Sequence, residues 1–113
     1  MNENTKIICV DFDKTLVEWS SNGFPELGKP IYKTINRMKE ERNRGTKFIL
    51  WTCREGELLD QALEWCNQRK IHFDAVNKNL PEGIAKNRGF DPRKVYANEY
   101  WDDKAINVKD LWV

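Results

Sequence analysis

Asp11 and Asp13 stand two residues apart, directly after the apolar run Ile7-Ile8-Cys9-Val10. Such a run reads as a buried strand. In an extended chain, side chains two positions apart point the same way, so the two carboxylates share one patch of space. Two anions held that close repel unless a cation sits with them. Mg²⁺ meets the need, because it takes carboxylate and backbone oxygens at about 2 Å. Thr15, two residues on, can hydrogen-bond the turn that follows.

The elements that must position these residues alternate. The first strand spans about Lys6 to Phe12, after a polar start over residues 1–5 that is expected to fray. Ser20-Ser21-Asn22-Gly23, Pro25 and Gly28 mark residues 14–29 as turns with room for a hairpin. Pro30 suits a first helical turn, Ile31, Ile35 and Met38 repeat at helical spacing, and Gly45 closes that helix. A second strand covers Thr46 to Trp51 and ends in Thr52-Cys53-Arg54. A helix follows with Leu58, Leu59, Ala62, Leu63 and Cys66 on one face, then a short strand from Ile71 to Val76. Pro81 to Gly89 reads as a short helix or irregular crossover, and Val95 to Trp101 as a fourth strand running into Asp102-Asp103. The tail from Ala105 to Val113 carries Ile106, Val108, Leu111 and Trp112, enough to dock on the body. Strand–helix alternation predicts a parallel sheet with helices on both faces, whose ligands bind at the carboxyl ends of the strands. Asp11, Asp13, Thr52, Asp102 and Asp103 all fall at such ends.

Composition narrows the function classes. A chain of 113 residues is expected to form one domain, 1–113, large enough to bury a core without disulfides. Lys+Arg 19 against Asp+Glu 18 provides no bulk field for nucleic acid, and no apolar stretch is long enough for a membrane span. Residues 1–6 lack the form of a signal peptide, and three cysteines (Cys9, Cys53, Cys66) suit a reducing cytoplasm. One histidine, His72, argues against a histidine zinc site or a Ser-His-Asp triad. Thirteen aromatic residues, from 5 Trp, 3 Tyr and 5 Phe, imply a well-stocked core or a contact surface.

The order Asp11-Phe12-Asp13-Lys14-Thr15 after a buried strand resembles the nucleophile motif of the haloacid-dehalogenase-like (HAD-like) phosphohydrolases. Ile49-Leu50-Trp51-Thr52 is similar to that family's second motif, and Tyr100-Trp101-Asp102-Asp103 to its acidic fourth motif. The resemblance implies an α/β, three-layer Rossmann-like fold with a central parallel sheet and no sizeable cap domain. It implies that Asp11 attacks phosphorus to form an aspartyl-phosphate and that Asp13 exchanges protons with the leaving group and water. Thr52 would donate to the phosphoryl group, alongside Cys53 and Arg54. Asp11, Asp13 through its carbonyl, Asp103 and also Asp102 would hold Mg²⁺. The third motif is a lone Lys or Arg between these stations. Of Lys78, Lys86 and Lys94, Lys78 is favoured because it follows the third strand at its carboxyl end, with the second strand between it and Asp11.

Plainer roles compete with each of these. Thr52 could simply end a strand, Asp102-Asp103 could cap the tail, and Arg54 could hold phosphate or pair with a carboxylate. No Cys-x5-Arg pattern follows Cys53, which disfavours a cysteine phosphatase. Lys14 stands where the family often has glycine, and Glu99 interrupts an otherwise apolar strand. Without a cap the site is open, fitting a phosphate on a macromolecule, or a small phosphorylated substrate if a second copy in a homo-oligomer covers it. Receiver-like phospho-acceptors share the residue types but place the acidic pair first. A HAD-fold binding module without turnover is the other alternative.

Overall fold

The computed structural model describes residues 4–112. Four parallel strands form the main sheet: β1 (Ile7–Val10), β4 (Lys47–Leu50), β5 (Ala75–Val76) and β6 (Glu99–Trp101). Between β1 and β4 lie a hairpin of β2 (Val17–Trp19) and β3 (Leu27–Pro30), and the helix α1 (Tyr32–Asn43). Helix α2 (Gly56–Gln68) joins β4 to β5, α3 (Pro81–Lys86) precedes β6, and a 3-10 helix covers Val108–Trp112.

The sheet order is β5-β4-β1-β6, so the second parallel strand lies between the first and the third. After β5 the chain crosses to the other side of β1. Direction of winding therefore reverses at β1, and the crevice outside its carboxyl end is where open α/β sheets bind ligands.

The period-two pattern of β1 divides its residues between two cores. Ile8 and Val10, with Phe12, Phe48 and Leu50, pack against Ile35 and Met38 of α1 and Ala62, Trp65 and Cys66 of α2. Ile7, Cys9 and Ile49 face the other way, onto Ala75, Leu80 and Val95. Fully burying one such aliphatic or aromatic side chain contributes about 1.5–3 kcal/mol. Both faces of the sheet are thus covered, and no cap domain is inserted among the described residues.

Several boundaries differ from the sequence expectations. Pro30 ends β3 and does not open a helix, which begins at Tyr32. The third strand shrinks to Ala75–Val76, and the fourth to Glu99–Trp101. Glu99 fits in it because its carboxylate meets Lys6 Nζ at 2.9 Å on the sheet edge. The tail does not dock: Ile106, Val108, Leu111 and Trp112 are each more than half exposed. The expected fraying of residues 1–3, and Val113 of the tail, lie outside the described residues. Gly45 does follow the last turn of α1, in the left-handed conformation that glycine adopts without strain. No helix among the described residues is long and apolar enough to cross a membrane.

Candidate active site

β1 delivers Asp11 to the crevice, where the Asp11 N–H donates to the Trp101 carbonyl of β6 at 2.9 Å. That bond continues the ladder one residue beyond the strand and holds the start of the loop rigid. Leu16 N–H and Thr15 N–H then bond back to the Phe12 carbonyl, and Lys14 N–H to the Val17 carbonyl, closing a tight turn. Lys14 has φ of +62°, a left-handed conformation that side chains rarely adopt. This is the physical reason a glycine would be at ease there.

The carboxylates of Asp11, Asp102 and Asp103 offer oxygens that all lie within 4.8 Å of one another. Burial pushes the Asp11 carboxyl up to about 7; the Phe12 backbone N–H opposes this, while Asp102 and Asp103 push it further up. Three acidic groups converging, Asp11 partly buried and Asp102 and Asp103 exposed, are all hard oxygen donors and fit a hard divalent ion such as Mg²⁺. Asp102 Oδ1 also accepts the Lys104 N–H at 3.0 Å, so one of its oxygens serves the local turn.

Asp13 faces elsewhere. Its Oδ2 accepts from Arg54 Nε and its Oδ1 from Arg54 Nη2, both at 2.8 Å, and Trp19 Nε1 adds a third bond to Oδ1 at 3.2 Å. Burial raises the Asp13 proton affinity, but Arg54 outweighs it, helped by Trp19 and Lys104, and the net shift is downward. The Asp13 carboxylate is not among the three that converge.

Arg54 is 4% exposed, and its Nη1 donates to the Leu58 carbonyl and to Gln61 Oε1, each at 3.2 Å. Its donors are thus engaged inside the protein. Of the two roles open to Arg54 in the sequence, the structure shows the pairing with a carboxylate.

Asp11 lines a cleft of about 410 Å³ together with Trp51, Thr52, Cys53, Asn77, Arg93 and Asp102. Thr52 sits one residue beyond Trp51, whose N–H continues β4 by donating to the Val10 carbonyl. The Thr52 N–H donates to Asn77 Oδ1 at 2.8 Å, and its hydroxyl oxygen accepts the Arg54 N–H at 3.1 Å. The hydroxyl hydrogen remains free to donate into the cleft. Cys53 is exposed at its wall.

Lys78, favoured for the third motif, lines a different cavity with Ala75, Leu80, Pro81 and Ile84. Lys86 Nζ donates to the Thr5 carbonyl at 2.8 Å, near the amino end of β1. Lys94 Nζ stands 5.9 Å from the Tyr100 ring centre. The cation that lines the Asp11 cleft is Arg93. Asn79 places it: its Nδ2 donates to Asp91 Oδ1 and the Pro92 carbonyl, while its Oδ1 accepts the Tyr96 N–H at 2.6 Å. A buried asparagine thus ties the loop after β5 to the segment carrying Arg93. In the sequence Arg93 stands directly beside Lys94, in a segment with no periodic pattern to mark it.

No protein-family model and no curated protein matches the chain. A solved structure, that of a conserved protein from Bacteroides thetaiotaomicron, is 40% identical with a TM-score of 0.74, the match covering 91% of this chain and 79% of that one.

Proposed function

The chain belongs to the same family as that conserved Bacteroides thetaiotaomicron protein, and from its site we propose a Mg²⁺-dependent, HAD-like phosphohydrolase that cleaves a phosphate monoester through an aspartyl-phosphate. One observation carries this reading. Asp11 stands at the winding reversal of the sheet with Asp102 and Asp103 converging on it, while Asp13, two residues on, is held apart from them by Arg54. Two neighbouring carboxylates in such different environments suit two different roles.

An Asp11 oxygen attacks phosphorus, and the bond from phosphorus to the leaving oxygen breaks. Asp13 passes a proton to that oxygen. It then takes one from the water that attacks the aspartyl-phosphate, which releases inorganic phosphate and regenerates Asp11. Arg54 holds Asp13 as the carboxylate needed in the second step, and an arriving ester dianion raises its proton affinity for the first. Thr52 donates to the transferring group, and Arg93 offsets its negative charge. Mg²⁺, held by Asp11, Asp103, Asp102 and the Asp13 carbonyl, would supply the positive charge that lets a dianion approach a carboxylate. The buried free thiols of Cys9 and Cys66 are consistent with a reducing, cytoplasmic setting.

The test is phosphate release from a panel of monoesters with Mg²⁺ or with chelator, using wild type beside Asp11→Asn. Release that needs both Mg²⁺ and Asp11 is the expected result. Release by Asp11→Asn at the wild-type rate overturns the nucleophile, and no release from any ester leaves the fold as a binding module.

A further inference from the structure

The side of the site that Asp13 faces is walled by aromatic rings that the chain leaves in solvent. Trp19 is 45% exposed and Phe24 49%, their ring centres 6.0 Å apart on the β2–β3 hairpin. Both are fixed in place. The Trp19 indole is tied to Asp13 through its N–H and carries Lys14 Nζ 4.3 Å from its ring centre, and the Arg54 guanidinium lies 5.0 Å from the Phe24 ring centre. In the Asp11 cleft itself, Trp51 exposes part of its ring beside Asp11 and Thr52. Apolar rings left in water and held rigid next to a polar site indicate a ligand surface.

We propose that these rings select the leaving group, and that the substrate is a phosphate monoester whose alcohol carries a flat aromatic ring of the nucleoside type, stacked on Trp19. The inference rests on the phosphohydrolase reading for its orientation. Asp13 has to contact the leaving oxygen, and Trp19 is bonded to the same carboxylate. Whatever is attached to that oxygen therefore lies against the indole. Stacking tolerates any base, because every base has a π-face. Lys14, its Nζ 4.3 Å from the Trp19 ring centre, puts positive charge on this side, favouring a ligand with anionic or electron-rich surface over an aliphatic one. An open site admits either a free mononucleotide or the phosphorylated end of an oligonucleotide; both present the same ring beside the same phosphate.

The experiment compares wild type, Trp19→Phe and Trp19→Ala. Turnover is read on a nucleoside 5′-monophosphate, a 5′-phosphorylated oligonucleotide and glycerol phosphate. In parallel, equilibrium binding of the first and third is measured on Asp11→Asn and on Asp11→Asn/Trp19→Ala. The readout is the ratio of kcat/KM on the ring-bearing ester to that on glycerol phosphate, because any effect on Asp13 is common to both. Wild type should favour the ring, Trp19→Phe should keep most of the preference, and Trp19→Ala should reduce the ratio about 5- to 100-fold. Whether the mononucleotide or the oligonucleotide is the better substrate identifies the source of the ring. Turnover with a ratio near one, or a ratio unmoved in Trp19→Ala, overturns the aromatic subsite while leaving the phosphohydrolase reading standing. Trp19-dependent binding of the nucleotide without turnover of any ester keeps the subsite and overturns the phosphohydrolase. A change in molecular mass in Trp19→Ala with no change in ratio makes the rings an interface between copies and overturns the proposal.

Discussion

Arg54 grips Asp13 through two hydrogen bonds of 2.8 Å each, one to either carboxylate oxygen, from a side chain packed between the rings of Phe12 and Phe24. The fork geometry matches a carboxylate as no lysine can. It links the loop after β4 to the loop after β1, the two loops that carry Thr52 and Asp11. The pair therefore fixes the orientation of the Asp13 carboxylate and ties two strand ends together.

Removing one partner of a buried pair strands the other. Arg54→Ala should lower stability by about 3 kcal/mol in urea unfolding. Arg54→Lys, which keeps the charge without the fork, should fold with a smaller loss and still lose most of kcat. A lysine variant with wild-type kcat would show that the charge matters and the orientation does not.

Asp11 makes the metal-free protein pH-sensitive. Its folded proton affinity is raised to about 7 from an ordinary 3.8, so the folded state binds the proton more tightly than the unfolded one. Stability from this group is present below the unfolded value and is lost as pH rises through the window up to about 7. At a half-buried site screened by solvent the loss is on the order of 2 kcal/mol. With chelator present, wild type should weaken between pH 4 and 7. Asp11→Asn should lack this component and be the more stable protein at pH 8, while having no turnover. Parallel pH profiles for the two proteins would refute the assignment.

What was legible in the sequence follows from where the information sits. Asp11 and Thr52 were readable because β1 and β4 end in apolar residues with a sharp edge, and the acidic pair because it directly follows Tyr100-Trp101 at the end of the last strand. The hairpin was readable from Gly23, Pro25 and Gly28. The cation that lines the Asp11 cleft was not, because Arg93 lies in an irregular segment positioned by Asn79, a long-range contact with no periodicity. The tail misled for a related reason: apolar content at Ile106, Val108, Leu111 and Trp112 has no periodic partner in the sequence, and the short 3-10 helix that carries most of it buries none of its residues.

Mg²⁺ should raise the melting temperature by several degrees, since saturation at about a hundred times Kd contributes about 2.7 kcal/mol. Asp103→Asn should remove that rise. Asp102→Asn should only reduce it, because Asp102 already gives one oxygen to the Lys104 N–H. A full shift in Asp103→Asn with none in Asp102→Asn would reverse the two roles.

The cations around the site separate by what each one touches. Arg93 lines the Asp11 cleft, where a phosphate dianion has to be neutralised. A hydrogen bond to a charged group contributes about 1.5–3 kcal/mol, so Arg93→Ala should lower kcat/KM by about 10- to 100-fold. Lys78 lines a separate cavity, and Lys78→Ala should leave turnover near wild type. Lys86 holds the Thr5 carbonyl, so Lys86→Ala should weaken the fold slightly and spare kcat. Lys94→Ala should change neither by much, its ammonium standing near the Tyr100 ring. The four variants are compared for kcat/KM at matched folded fraction. If Lys78→Ala were the one to lose activity and Arg93→Ala kept it, the loop after β5 would have to move inward on binding substrate, and Arg93 would be a bystander in the cleft.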